Sequence, residues 1–167
     1  MVKPFRNNVG IALFNRDGLV LIARRRANDG PEIIEPGFEW QMPQGGIDED
    51  EDPYHAALRE LFEETSVRKI ERLGETEWMT YDFPHYQGPS HRLAQFRGQR
   101  QKWFALRFVG GDAEINVMGA HNGEEPEFDG WRWERLKLLP SLVVPFKRDV
   151  YRRVSEAFSI FATRTYR

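Results

Sequence analysis

The sequence predicts an α/β fold in which a mixed β-sheet lies between helices, as an α/β/α sandwich. Two observations carry this prediction. The predicted elements run in the order hairpin, short strand, helix, further strands and an amphipathic terminal helix. The chain has 167 residues and is 40% hydrophobic, which suits a single domain over residues 1–167 with a real core.

Composition narrows the class of protein. Cysteine is absent, so disulfide frameworks and thiolate sites are excluded, in keeping with a reducing compartment. No apolar run approaches 18 residues and residues 1–8 show no signal-peptide pattern, so we expect a soluble cytoplasmic protein without a membrane partner. The net charge of −2 says little about partners, and we expect no DNA partner. The sequence does not identify protein partners.

The first half of the chain predicts a hairpin, a loop and a short strand. Apolar runs at 8–14 and 19–23 flank a turn signal at 15–18. Residues 27–38 contain Asn-Asp-Gly-Pro and Glu-Pro-Gly and predict a surface loop. Residues 40–44 predict a short strand that leads into Gly45.

A helix is predicted to begin at Pro53, with Asp52 as its N-cap. Its predicted buried stripe consists of Ala57, Leu58, Leu61 and Phe62. Glu60, Glu63 and Glu64 share another face at helical spacing.

This crowding of carboxylates has two interpretations. Like charges one turn apart destabilise a helix, and Mg²⁺ would remove the repulsion because it prefers oxygen ligands and keeps sites for substrate phosphate. The alternative is an ordinary solvated acidic helix, since glutamate favours helices.

The spacing around this helix resembles the Nudix hydrolase signature. Gly45, Glu51, Arg59, Glu60, Leu61, Glu63, Glu64 and Val67 match it in register, and Ser66 stands where the signature has a second glycine. A non-glycine residue there puts the helix exit in question, because helices commonly end at a positive φ.

Further segments resemble the subfamily of bacterial RNA pyrophosphohydrolases and plant-type diadenosine polyphosphate hydrolases. They are 5–11, 23–25, 40–47, 101–104, 127–133 and 144–154, so the likeness covers about Phe5 to Phe158. Phe5 and Asn7 stand where members commonly have Tyr and Pro, and the 27–38 loop resembles an insertion.

The resemblance implies roles for named residues. It implies a metal site of Glu60, Glu63, Glu64, Glu127 and the backbone of Gly45, with Arg59 orienting the glutamates and Glu51 supporting the loop. It implies substrate contacts from Arg6, Arg25, Tyr81, Val144, Phe146 and Lys147, with the 5′ base held between Arg25 and Phe146.

The second half predicts strands at 69–73, 77–83, 103–109 and 131–134, and a further one at 113–117. Residues 84–102 predict a basic loop, which is either a phosphate or RNA contact or simply solvated. Residues 119–130 predict an acidic loop with Glu124, Glu125 and Glu127. The apolar residues at 146, 150, 154 and 158 predict a terminal helix whose Tyr151, Val154 and Phe158 belong to the core.

The resemblance implies a Mg²⁺-dependent hydrolase of nucleoside 5′-polyphosphate anhydrides, for which Mn²⁺ or another divalent cation can substitute. The substrate would be an RNA 5′ end or a dinucleoside polyphosphate. A Nudix domain that binds a nucleotide or RNA end without turnover is the alternative.

Overall fold

The computed structural model describes residues 2–119 and 123–165. Its strands are β1 (Phe5–Phe14), β2 (Val20–Arg25), β3 (Trp40–Gln41), β4 (Gln44–Gly46), β5 (Ile70–Glu75), β6 (Met79–Asp82), β7 (Gly98–Phe108) and β8 (Phe128–Glu134). Its helices are α1 (Pro53–Thr65), α2 (Leu139–Leu142) and α3 (Arg148–Ala157).

The eight strands form one mixed sheet between two helical layers, which confirms the predicted α/β/α sandwich. The main path runs β3-β2-β1-β7-β5, while β4 pairs with β1, β6 with β7 and β8 with β2. The β1–β7 pair is parallel and the other pairs are antiparallel. Helix α1 packs on one face with Leu61 and Ala57, and α2 and α3 pack on the other with Leu139, Tyr151 and Val154.

The predicted hairpin is confirmed, and its first strand begins three residues earlier than expected. The Asn15 side chain accepts hydrogen bonds from the backbone of Asp17 (2.9 Å) and Leu19 (3.0 Å), and Gly18 takes φ +78°. The predicted strand at 40–44 is divided into β3 and β4 by Met42 and Pro43, since proline has no N–H for a ladder.

Helix α1 begins as predicted. Asp52 accepts a hydrogen bond from the His55 backbone N–H (3.1 Å), and Pro53 occupies the first turn. Ser66 ends the helix at φ +69° and its N–H reaches the Phe62 carbonyl (2.9 Å), so a serine takes the left-handed cap that usually favours glycine. The predicted stripe needs correction, because Leu58 and Phe62 are both only half-buried, with Phe62 beneath Arg68, and Ala56 lies in the core.

Three predictions for the second half were wrong. The acidic loop predicted at 119–130, of which residues 120–122 lie outside the described part of the chain, ends before Phe128, because β8 begins there and pairs with β2. The loop predicted at 84–102 ends at Arg97, because residues 98–102 pair in parallel with β1, which buries Gln99 and Gln101 despite their polarity. Residues 113–117 form no strand. A 3₁₀ turn at Asp112–Glu114 replaces it, since Gly111 donates to the Glu114 carboxylate (2.6 Å) and closes the chain locally.

The terminal helix and its core residues are confirmed. Val150, Tyr151, Val154 and Phe158 are buried, and the Tyr151 hydroxyl accepts a hydrogen bond from the Met42 backbone N–H (2.9 Å). The terminal helix therefore anchors the segment that precedes β4. Among the described residues, no helix is both long and apolar enough to cross a membrane.

Candidate active site

A pocket of about 870 Å³ opens where β4, α1 and three loops meet. Its wall contains Glu60, Glu63, Glu64 and Arg59 of α1, Gly45 of β4 and Glu127 from the loop before β8. These are residues that the sequence predicted to share a site. The fold therefore brings the predicted metal-binding residues together around one cavity.

Arg59 organises the carboxylates. Its guanidinium donates to both Glu51 oxygens (2.8 Å each), to Glu60 (2.9 Å) and to Glu63 (3.2 Å), and also to the Gly46 carbonyl (2.9 Å). The bonds to Glu51 raise the Arg59 pKa further above its ordinary value, and they lower the Glu51 pKa. Glu51 in turn accepts from the Asp48 backbone (3.0 Å). These contacts support the orienting role predicted for Arg59 and the loop-supporting role predicted for Glu51.

Glu60 lies directly against Gly45. A Cβ atom at Gly45 would stand 2.0 Å from the Glu60 carboxyl carbon, so any side chain there would displace the carboxylate. Burial raises the Glu60 pKa to about 7, and the charges of Glu63 and Glu127 add to the shift that Arg59 opposes. The site thus lacks positive charge for the number of carboxylates it holds.

Glu64 is the most deeply buried of the four glutamates. Burial raises its pKa well above the ordinary value, and the charges of Glu127 and Glu60 raise it further. Its Oε2 atom has no hydrogen-bond partner among the described residues. Glu127 lines the same pocket and its charge contributes to the raised Glu64 pKa, so the late acidic loop faces the helix across the pocket.

A divalent cation fits this donor set. Carboxylate oxygens are hard ligands, one of them is buried without a partner, and a cation would offset the mutual repulsion. Within the described ranges no three acidic or histidine side chains form a preformed metal cluster. Arg59 explains this geometry, since it draws Glu60 and Glu63 toward itself.

A second polar group lies at the inner end of the pocket and is built on Lys147, which is 1% exposed. Three acceptors surround its ammonium: Glu32 Oε2 at 2.7 Å, Gln41 Oε1 at 2.9 Å and Gln44 Oε1 at 3.4 Å. Tyr81 donates its hydroxyl hydrogen to Glu32 Oε1. We call Glu32, Lys147, Tyr81, Gln41 and Gln44 the Glu32 network.

The charges of Glu32 and Lys147 stabilise each other inside the Glu32 network. Burial alone would raise the Glu32 pKa, but the charge and hydrogen bond of Lys147, with help from Tyr81 and Arg25, bring it below its ordinary value. Burial lowers the Lys147 pKa although Glu32 counteracts it. Burial raises the pKa of the Tyr81 hydroxyl, because here the charged form is the deprotonated one.

Only some of the predicted substrate residues lie in the pocket wall. Arg6, Arg25 and Lys147 line the pocket, whereas Tyr81, Val144 and Phe146 pack behind its wall. The Arg25 guanidinium donates to the backbone carbonyls of Glu32 (2.5 Å) and Ile33 (3.4 Å), and so holds the 27–38 loop.

The base clamp is not preassembled. The Phe146 ring is half-buried and lies 5.9 Å from the Tyr81 ring, in the core cluster beside α3. Lys147, which was expected among the substrate contacts, pairs with Glu32 (2.7 Å) and donates to Gln41 (2.9 Å) and Gln44 (3.4 Å).

Sequence reasoning missed several pocket residues. Arg26 donates from its backbone to the Glu127 carbonyl (3.1 Å) and from its side chain to the Pro126 carbonyl (2.9 Å), and thereby fixes the segment that carries Glu127. Glu32 was missed because a lone glutamate among Gly and Pro residues looks like a solvated loop residue. The run of three arginines at the end of β2, residues 24–26, was the available signal for Arg26.

Comparisons with known proteins identify the family. A family model described as the NUDIX domain matches residues 4–154. An RNA pyrophosphohydrolase of Bradyrhizobium diazoefficiens is 52% identical over 160 residues, covering 95% of each chain. An RNA pyrophosphohydrolase of Afipia carboxidovorans is 54% identical over the same length and coverage.

Solved structures share the fold at low identity. The Ap4A hydrolase of C. elegans, in a binary complex, superposes with a TM-score of 0.62 at 17% identity, over 93% of this chain and 98% of that one. The dihydroneopterin triphosphate pyrophosphohydrolase of E. coli gives a TM-score of 0.62 at 19% identity, over 95% and 99%. At these identities the likeness shows the fold alone.

Proposed function

This chain belongs to the Nudix family, and we propose that it hydrolyses the phosphoric anhydrides of nucleoside 5′-polyphosphates, with RNA 5′ triphosphate ends as its main substrate. The products would be a 5′-monophosphorylated RNA and pyrophosphate. Diadenosine tetraphosphate, which would give AMP and ATP, is a second substrate for the same pocket. The relatives named RNA pyrophosphohydrolase, at about half identity over nearly the whole chain, favour RNA.

One observation carries the proposal: four glutamates and an orienting arginine line a cavity that also contains Arg6. The acidic side suits a divalent cation and the guanidinium suits phosphate. A polyphosphate bound between them would contact positive charge on both sides. An ordinary solvated acidic helix would require neither the cavity nor the orienting arginine.

Nudix hydrolases depend on divalent cations, and we propose Mg²⁺ as the one used here, held by Glu60, Glu63, Glu64, Glu127 and the Gly45 carbonyl. When bound, the cation would supply charge neutralisation at the phosphates and an activated water. The chain's own residues orient the glutamate side chains and position the loop that carries Glu127. Arg59 keeps an oxygen of Glu60 and of Glu63 in place, and Arg26 holds the segment that presents the Glu127 carboxylate to the reacting groups.

Recognition of the 5′ base by Arg25 and Phe146 belongs to the same proposal. Stacking between a guanidinium and a phenyl ring would accept any base. In the substrate-free arrangement Arg25 is bonded to loop carbonyls, so the clamp requires the guanidinium to exchange those bonds for the base. Lys147 would then serve through Gln41 and Gln44 rather than by touching phosphate.

Product analysis tests the function directly. Triphosphorylated RNA and diadenosine tetraphosphate are incubated with wild type and with Glu64→Gln, with Mg²⁺ and with EDTA. We expect pyrophosphate release from RNA by wild type with Mg²⁺ only. Binding of either substrate without any product in Mg²⁺ would overturn the proposal in favour of a nucleotide-binding module without turnover.

A further inference from the structure

Two loops meet over the pocket and are joined by one carboxylate. Asp29, in the 27–38 loop, lies 2.8 Å from His91 Nε2 and 3.2 Å from an Arg92 nitrogen in the 84–97 loop. Gly30 adopts φ +54° beside the His91 ring, where a Cβ atom would stand 2.4 Å from a ring atom. The loops are therefore fitted to each other at this point. Asp29 and Arg92 both line the pocket.

Arg92 shares the pocket with Arg6. The Arg6 guanidinium packs on Gly46, where a Cβ atom would stand 2.0 Å from one of its nitrogens. Burial lowers the Arg6 pKa most and the Arg92 charge lowers it further, whereas the charges of Glu60 and Asp29 oppose the shift. Two guanidiniums thus face one cavity beside the glutamate helix. Like charges so placed favour an anion between them.

We propose that Arg92 is a further substrate-binding residue, which together with Arg6 grips the phosphate chain after exchanging Asp29 for phosphate oxygens. The inference rests on the proposed function and names the part of the substrate that this end of the pocket reads: a chain of several phosphates, as on a triphosphate end.

The exchange of Asp29 for phosphate by Arg92 should cost little free energy. Arg92 is 60% exposed and Asp29 30% exposed, and exposed pairs of this kind contribute little to stability. A guanidinium forms paired hydrogen bonds with phosphate, which are stronger. Asp29 keeps His91 as a neighbour when Arg92 leaves, so the exchange leaves no carboxylate without a partner.

The 84–97 loop offers a matched control. Arg97 is a basic residue of the same loop, but it pairs with Asp82 (3.1 Å) and stacks on Phe5, away from the pocket wall. Replacing Arg97 with alanine changes the net charge by the same amount as replacing Arg92. The two variants therefore separate a local contact from a general electrostatic effect.

The test is a calorimetric titration of wild type, Arg92→Ala, Arg97→Ala and Asp29→Asn with inorganic tripolyphosphate and, separately, inorganic phosphate, in EDTA at low salt. We expect Arg92→Ala to weaken tripolyphosphate binding about tenfold and phosphate binding much less. Arg97→Ala should stay within about twofold of wild type. Asp29→Asn should bind tripolyphosphate more tightly, because Arg92 then has no competing carboxylate.

Equal weakening by Arg92→Ala and Arg97→Ala, or none by Arg92→Ala, would overturn the inference. Weaker binding by Asp29→Asn would show instead that Asp29 must hold Arg92 in place, and would overturn the exchange. A melting curve of each variant identifies loss of fold, and Arg92→Gln replaces Arg92→Ala if the latter unfolds. Because the titrations need no turnover, their outcome is independent of whether any nucleotide is hydrolysed.

Discussion

The Glu32 carboxylate and the Lys147 ammonium approach to 2.7 Å in the interior, with side chains that are 5% and 1% exposed. One comes from a loop before the signature helix and the other from the turn that starts α3. Their contact ties the 27–38 loop to the start of α3. A buried pair of this kind is costly to break because either partner alone would be an uncompensated buried charge.

Replacing Glu32 with glutamine should therefore destabilise the protein by about 3–5 kcal/mol. The free energy of unfolding, from urea denaturation, measures this. Glu35→Gln in the same loop is the control and should change stability by less than about 0.5 kcal/mol. The double variant Glu32→Gln/Lys147→Met, which removes both charges, should recover much of the loss. Equal stability of wild type and Glu32→Gln would refute the energetic role of the pair.

The Glu32–Lys147 pair should also make the stability of the protein sensitive to acid. The Glu32 pKa is below its ordinary value of 4.5 in the folded state. Between the folded and the unfolded pKa, the unfolded chain therefore binds more protons than the folded one. Its stabilisation is fully present above about pH 4.5 and is lost as pH falls through the folded pKa. Unfolding free energies measured from pH 6 downward should fall more steeply for wild type than for Glu32→Gln/Lys147→Met. Parallel curves would contradict this.

Glu63→Gln and Glu64→Gln should each lower turnover by about 100-fold or more, since metal-ligand roles are worth that much. Stability should hold or rise slightly, because each change relieves repulsion on α1 and, at Glu64, also removes a buried charge. Steady-state kinetics and melting temperatures provide both measurements. Glu49→Gln, an exposed acid of the preceding turn, is the control. Losses below about tenfold in both variants would remove the ligand assignment.

Glu127→Gln should impair turnover far more than Glu124→Gln or Glu125→Gln. All three glutamates line the pocket, and Glu127 is among the main causes of the raised pKa values of both Glu60 and Glu64. A kinetic comparison of the three single variants, at saturating substrate, separates them. If Glu127→Gln matches wild type, the role predicted for it lies elsewhere.

Phe146→Ala distinguishes a base contact from a core contact. If the clamp forms in the bound state, the variant should weaken binding of RNA ends and of dinucleotides alike, by about 1–3 kcal/mol, with a melting temperature close to wild type. Because the ring beside Tyr81 is only half-buried, the fall in melting temperature should be small in that case. Unchanged affinity together with a large fall in melting temperature would assign Phe146 to the core.

The signature helix and the order of elements could be predicted because their signals are local. Asp52 and Pro53 specify a helix start, and three glutamates at helical spacing specify a shared face. The surroundings of Glu32 could not be predicted, since its burial depends on Lys147, more than a hundred residues away. The polar start of β7 was missed for the same reason: only its parallel partner explains why Gln99 and Gln101 are in a strand.

The parallel pairing of β1 with β7 also has a consequence for how the chain reaches its native state. The side chains of Asn8 and Gln101, hydrogen-bonded at 2.8 Å, are separated by 93 positions. Closing such a long loop costs entropy before any contact repays it, so contacts of this kind form late and slow folding. During synthesis, β1 emerges long before β7 and leaves an apolar edge unpaired. A nascent chain that stops before residue 98 should therefore depend on chaperones, and the pocket can form only after the two distant strands have met.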